Sequence, residues 1–420
     1  MTLDAPPRLE FGKDISASEG PLRPPTRDSK RILVIGSGVI GLITAWLLLD
    51  KGYNVTIISK QWATYTKSQR LTSQIAGALW EYPPGGCGPQ PMLGSMHHCR
   101  DWAIESYGIY SAMAANPQIA AKMGLKMRSL AMLFPYRIET DDTKMEKMKA
   151  IESGPITGFR RSLSVVERRN ISPEFGIVDA YEHDAPVIDS DQGMQFLMQL
   201  VQDKGADMFT HEVKGQLWDS ESKLLATFAA DAIVNATGLG AHELAADDSV
   251  YPVRGGVLRV VNDGKDFPRV TTATVVSTET DDTGNYMDVI FMVPRNDNIL
   301  ILGSIVQPHE WVTDLSLDSQ EVKDLRARFE RFMPSLRKAR LAPDYPFAQG
   351  LRPFRLGIPR VERETKTRSG RPSRVVHSYG QGGAGWSMAF GCAAECVGLV
   401  EEVLEQEVLV EEPAFLMSKL

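Results

Sequence analysis

The chain has 420 residues, a net charge of −7, 43% apolar and 24% charged residues. That is ordinary globular composition, long enough to bury one large core or two interleaved ones. An acidic surface excludes nucleic acid as the main partner, because phosphate binding needs a basic one. Cys87, Cys99, Cys392 and Cys396 show no C-x-x-C spacing and read as reduced, structural thiols of an intracellular protein.

Residues 1–29 are polar and carry Pro6, Pro7, Pro21, Pro24 and Pro25, which predicts a loosely ordered lead-in with no secretory signal. Residues 31–60 then set out a complete β-α-β unit. Ile32–Ile35 is an apolar strand, Gly36-x-Gly38-x-x-Gly41 opens a helix that runs to about Asp50, Gly52 ends it, and Val55–Ile58 is a second buried strand. Gly36 permits the tight turn, Gly38 lets backbone approach a pyrophosphate, and Gly41 lets helix and strand pack closely. The helix N-terminus, with Val39 and Ile40, turns N–H groups and partial positive charge to the phosphates. The apolar run 39–49 is too short to span a membrane. Ser59 and Lys60 stand where an acidic residue usually grips the ribose. A 2′-phosphate would suit Lys60, so an NADP reading stays open here.

In the middle of the chain, Met123, Met127, Met132, Met145 and Met148 read as helical core filler. His97 and His98 lack metal-site spacing and acidic companions, and no metal is expected. Asp231–Gly240 is a further buried strand ending in a glycine turn, through Thr237 and Gly238. V-L-R-V-V, V-I-F-M-V-P and N-I-L-I-L-G read as strands of an antiparallel sheet. Residues 350–360 place Arg352, Arg355 and Arg360 among glycine and proline, where no helix can present them together. Residues 375–391 form a glycine-rich stretch leading into a C-terminal helix, a second place for N–H groups to meet an electron-rich ligand. The chain closes on Ser418-Lys419-Leu420, the tripeptide read by peroxisomal import receptors, so a peroxisomal address and that receptor as partner are expected.

Taken in order, G-S-G-V-I-G, T-S-Q-I-A-G-A-L-W (72–80), Y-P-V-R-G-G (251–256), V-P-R (293–295), G-L-R-P-F-R with P-R-V-E (350–362) and H-S-Y-G-Q-G-G-A-G-W (377–386) resemble the D-amino-acid oxidase family of FAD enzymes. The resemblance spans roughly 30–405 and is weakest over 85–180. It implies an α/β fold with a Rossmann-type FAD-binding domain (30–84, 186–249, 346–410) and an interleaved α+β substrate domain carrying an antiparallel sheet (85–185, 250–345). A tail follows at 411–420. It further implies FAD contacts at Gly36, Gly38, Val39, Ile40, Gly41, Ser59, Lys60, Thr72, Ser73, Gly77, Ala78, Leu79, Val213, Thr237, Gly238, Arg352, Gly382, Gly383, Ala384, Gly385, Trp386 and Ser387.

In that family the arginine of G-x-R-P grips the substrate α-carboxylate, and Arg352 holds that position; Arg355 and Arg360 are expected to pair with acids or carbonyls. The implied reaction is oxidation of a D-amino acid, with oxygen as acceptor and hydrogen peroxide as product. Members are often homodimers. The chain also departs from the family. Phe291 replaces a tyrosine whose hydroxyl helps hold the carboxylate, Tyr286 stands for the other active-site tyrosine, and Gln381 replaces a histidine. Glu81 sits near the substrate, either as a solvated or salt-bridged acid or as the partner of a cationic substrate group. Three readings follow: a D-amino-acid oxidase, a related flavin amine oxidase acting on a modified or cyclic amino acid, and a non-enzymatic or NAD(P)-dependent protein.

Overall fold

A computed structural model describes residues 10–11, 14–65, 70–85, 96–276 and 289–411, with side chains described to 405. The β-α-β unit forms as its pattern demands. Strand Arg31–Ile35 pairs in parallel with Asn54–Ser59 on one side and Ala232–Asn235 on the other. Helix Val39–Asp50 is buried along its whole length, since its apolar residues run all the way round it. It lies between the sheet and the helices Ser190–Asp203 and Gly385–Glu411. The full sheet has six strands in the order 360–363, 375–379, 232–235, 31–35, 54–59, 207–210, parallel except at Arg360–Arg363.

Residues 375–379, read as part of a glycine-rich stretch, are a buried strand beside Ala232–Asn235. Val375, Val376 and Tyr379 supply the apolar content that the glycines following them obscure in the sequence.

A second sheet of eight strands runs in the order 347–355, 250–261, 299–308, 290–294, 273–276, 125–134, 179–188, 160–161. It is antiparallel except where Leu125–Phe134 meets Ala273–Val276. Phe347–Arg355 was expected on the nucleotide side of a boundary at 346, but it hydrogen-bonds along Val250–Val261 in this second sheet. Pro353 is tolerated because that strand is at the sheet edge, where a missing N–H costs no ladder bond. Helix Met96–Ala114 crosses the other way. It packs on the C-terminal helix so closely that a Cβ on Gly391 would lie 2.6 Å from the Trp102 carbonyl oxygen.

Within the expected loose lead-in, the stretch from Ile15 to Leu22 is tied to the core, while residues 23–28 are exposed and carry no helix or strand. Ile15 and Ala17 are buried in the core. The Asp50 carboxylate, at the end of the first helix, accepts from Ser16 N at 2.8 Å, Leu22 N at 3.0 Å, Trp46 Nε1 at 2.9 Å and Lys204 Nζ at 2.6 Å. Proline content signalled no helix or strand there, yet a buried charge with four donors holds irregular backbone firmly. Cys99, Cys392 and Cys396 are buried free thiols, and Cys87 lies outside the described residues. Among the described residues no helix is long and apolar enough to cross a membrane. Ser418–Leu420 lie outside the described residues.

Candidate active site

One cavity of about 1020 Å³ runs from the first glycine turn to Arg352. At its nucleotide end Gly36 adopts φ +115°, and a Cβ there would lie 2.9 Å from the Ala236 carbonyl carbon. Gly38 caps the first helix with no side-chain hydrogen bond, so the helix opens on the cavity with backbone alone. Val39 N donates to Ser73 Oγ at 3.1 Å, tying that helix start to the loop 72–79. Gly41, expected among the contact residues, does not reach the cavity wall; a Cβ there would collide with the Gly36 carbonyl, so its work is the close packing behind the wall.

At the end of the second strand, hydroxyls replace the missing acid. Ser37 Oγ donates to Ser59 Oγ at 2.9 Å, and Ser59 Oγ donates to the Gln61 carbonyl at 2.7 Å. Lys60 is exposed on the rim, with Val213, Thr237 and Gly238 completing this end.

The second helix start lies beside the first, where a Cβ on Gly385 would be 3.8 Å from the Val39 side chain. Gly382, Gly383, Ala384, Gly385, Trp386 and Ser387 all line the cavity. Trp386 Nε1 donates to the Ser73 carbonyl at 2.9 Å, Ser387 Oγ accepts from Glu81 N at 3.1 Å, and Thr72 Oγ1 donates to the Leu351 carbonyl at 3.1 Å. Between them Gly77, Ala78 and Leu79 border the cavity, with Ala78 held at φ +47°, an uncommon conformation for a non-glycine residue. Buried Arg295, the arginine of V-P-R, fixes this turn by donating to the Gln74 and Ala76 carbonyls at 3.2 and 2.5 Å.

At the inner end, Arg352 rises from the edge strand opposite Val253. Its guanidinium crosses the neighbouring strand over Gly255, where a Cβ would lie 2.5 Å from Arg352 Cζ. It reaches the third strand, with Nη1 donating to the Ile305 carbonyl at 3.3 Å and Nη2 donating to Ser304 Oγ. Phe291 lines the same chamber and packs its ring over Gly77, whose Cβ would lie 2.8 Å from the Phe291 Cζ. Tyr251 and Phe354, with ring centroids 6.1 Å apart, form an aromatic side to the cavity, and Trp311 stands half-exposed near them. Tyr286 lies outside the described residues.

Glu81 borders the cavity, but its carboxylate takes a 2.9 Å bond from the buried Lys147 ammonium, which also donates to the Pro84 carbonyl at 2.8 Å. Of the two readings of Glu81, the described contacts show the salt-bridged one, a carboxylate charge-neutralised in the wall. Arg355 and Arg360 are paired as expected. Arg355 Nε donates to Asp247 at 2.9 Å, and Arg360 Nε donates to Glu362 at 2.5 Å. Burial pushes the Asp247 carboxyl up, but hydrogen bonds from Ser249, Arg355 and Tyr379 outweigh it and hold it well below the usual carboxylate range.

Sequence reasoning missed Gly255, Ser304 and Ile305 as parts of this site. Their signal, the glycine pair in Y-P-V-R-G-G, was legible, but what crosses a glycine depends on strand order. Gly255→Ala is expected to push the far end of the Arg352 side chain aside and leave the fold intact. Steady-state kinetics should show KM at least about tenfold higher, with the melting temperature nearly unchanged. Wild-type KM in this variant would mean that Arg352 has no part in binding.

A glycine turn opening a helix onto one long cavity that ends at an arginine suits a dinucleotide at one end and an anionic group at the other. Residues 31–399 match the family described as FAD dependent oxidoreductase, and the chain belongs to that family. The D-amino-acid oxidase of Rubrobacter xylanophilus is 27% identical over 374 residues, covering 89% of this chain and 97% of its own. D-aspartate oxidase of Homo sapiens is 26% identical over 378 residues, with 89% and 96% covered. Glycine oxidase from Geobacillus kaustophilus shares the fold with a TM-score of 0.67 at 19% identity, over 89% of this chain and 95% of that one. The cofactor is FAD, which removes the nicotinamide reading that Ser59 and Lys60 left open. The cavity suits it: glycine walls, the start of the first helix at Gly38 for a pyrophosphate, and space extending to the arginine.

Proposed function

We propose that the protein is an FAD-dependent D-amino-acid oxidase in which Arg352 anchors the substrate α-carboxylate. The observation that carries this reading is the Arg352 guanidinium laid across Gly255 into the inner chamber of the cofactor cavity. The full-length relatives named D-amino-acid oxidase and D-aspartate oxidase support the substrate class.

In this reading Gly36, Gly38, Val39 and Ile40 would hold the pyrophosphate, Ser59 and Lys60 the ribose, and Val213, Thr237 and Gly238 the rest of the nucleotide end. Thr72, Ser73, Gly77–Leu79 and Gly382–Ser387 border the ribityl chain and ring. When bound, FAD accepts two electrons from the substrate Cα–H bond and passes them to oxygen. Arg352 meets the carboxylate with a planar, charge-assisted fork that sets orientation as well as affinity. Leu79, Val257, Phe291 and Met388 line the cavity with buried apolar surface that would keep water from the reacting carbon. A neutral amine gives up its Cα hydrogen with the bonding pair, so no side chain has to take a proton from carbon and positioning is the protein's main task. The imino acid product hydrolyses to a 2-oxo acid and ammonia, and oxygen leaves as hydrogen peroxide.

The test is anaerobic bleaching of the holoenzyme's flavin absorbance by a panel of D- and L-amino acids together with N-methyl and cyclic ones. D-amino acids should bleach it and their L-enantiomers should not. Phe291, which brings no hydroxyl to the chamber, favours a second reading, oxidation of a modified or cyclic amino acid by the same chemistry. Bleaching by those compounds alone would establish the second reading and retire the first.

A further inference from the structure

We propose that Ser304 is a positioning residue that pre-sets the Arg352 fork for a carboxylate. The inference rests on the reading of Arg352 given above. Arg352 starts on the edge strand and must project its guanidinium over an entire neighbouring strand before it meets the chamber. A stem of that length anchored only at its Cα keeps its rotamer freedom, which ligand binding would then have to remove.

The irregularity at 303–305 in the third strand removes it in advance. The Ile305 carbonyl takes Nη1 at 3.3 Å and Ser304 Oγ takes Nη2. The serine hydroxyl is itself oriented, since it donates to the Ile305 carbonyl at 2.9 Å and so turns a lone pair toward the guanidinium. Ser304 is 3% exposed and lines the cavity, so water competes poorly for this contact. Across the chamber, the ring of Phe291 offers the guanidinium no polar atom. Fixing a binding group before its ligand arrives raises affinity without changing the chemical step.

The experiment titrates propionate, a carboxylate with no amine to oxidise, into the oxidised holoenzyme and reads flavin absorbance, alongside steady-state kinetics on the best D-amino acid. Ser304→Ala is expected to raise the propionate Kd and the KM about tenfold, with kcat within twofold and with unchanged FAD content and melting temperature. Ser304→Thr keeps the hydroxyl and should stay within threefold of wild type. In an Arg352→Lys background the Ser304→Ala penalty should largely disappear, because the oriented fork is gone.

Unchanged Kd and KM in Ser304→Ala, or an undiminished penalty in the Arg352→Lys background, would overturn the proposal. Ser304→Gly is made in parallel; if both small variants lose flavin or unfold, Ser304 is structural and the proposal falls. Should Arg352→Leu itself keep wild-type propionate affinity, the assignment of Arg352 fails and takes this inference with it. A weakened Arg352→Leu beside an unaffected Ser304→Ala defeats only the inference.

Discussion

Arg352→Leu should cut kcat/KM for D-amino acids by roughly 10²- to 10⁴-fold, carried mainly by KM. Two charge-assisted hydrogen bonds to one carboxylate are at stake, each contributing about 1.5–3 kcal/mol when they replace hydration in a sheltered site. The loss is not made good by neighbours, because Arg355 is already committed to Asp247 and Arg360 to Glu362. Flavin content should hold, since the glycine turns and helix starts that border the rest of the cavity do not depend on this side chain. Stopped-flow reduction under anaerobic conditions separates the two effects. Saturation should shift to much higher substrate concentration while the limiting rate falls less. A variant that is reduced normally at low substrate would show that the carboxylate is held elsewhere.

The largest effect on stability is expected at Asp50. Asp50→Ala removes the acceptor of four hydrogen bonds, from Ser16, Leu22, Trp46 and Lys204, and leaves the Lys204 ammonium buried without its counter-charge. Breaking a buried pair from one side costs about 3–5 kcal/mol. For a chain of this length that corresponds to a fall in melting temperature of about 3–6 °C, measurable by calorimetry on the holoenzyme. Asp50→Asn combined with Lys204→Met should recover part of the loss, because no orphan charge remains. Limited proteolysis should cut the 14–24 segment sooner in Asp50→Ala than in wild type. An unaltered melting temperature would mean that the N-terminal segment is held by its apolar contacts alone.

Local pattern was a sound guide wherever one segment builds its own environment. The strand–glycine–helix–strand run over 31–60 could be read directly, because β-branched residues, a G-x-G-x-x-G turn and Gly52 each act within a few residues of themselves. The same holds for the apolar runs that became strands Ile290–Pro294 and Ile299–Pro308. Partnering was not legible. Glu81 could be read as facing solvent or substrate until Lys147, 66 residues away, appeared against it. The proline-rich opening read as loose because the carboxylate that orders it lies at the end of a helix, 34 residues on from Ser16. Arg352 was marked by its motif, but Gly255, Ser304 and Ile305 become its neighbours only through the order of three strands.

By itself the sequence determined the dinucleotide turn, the arginine-bearing block and the glycine stretch before the last helix, because backbone geometry and residue type are local properties. The tertiary structure decided which side of the boundary the arginine strand joins, which charges neutralise one another, and what the guanidinium rests on. Those outcomes depend on contacts between segments up to hundreds of residues apart, and such contacts are selected by burial and by pairing of charge within the finished fold, not by any pattern along one stretch of chain.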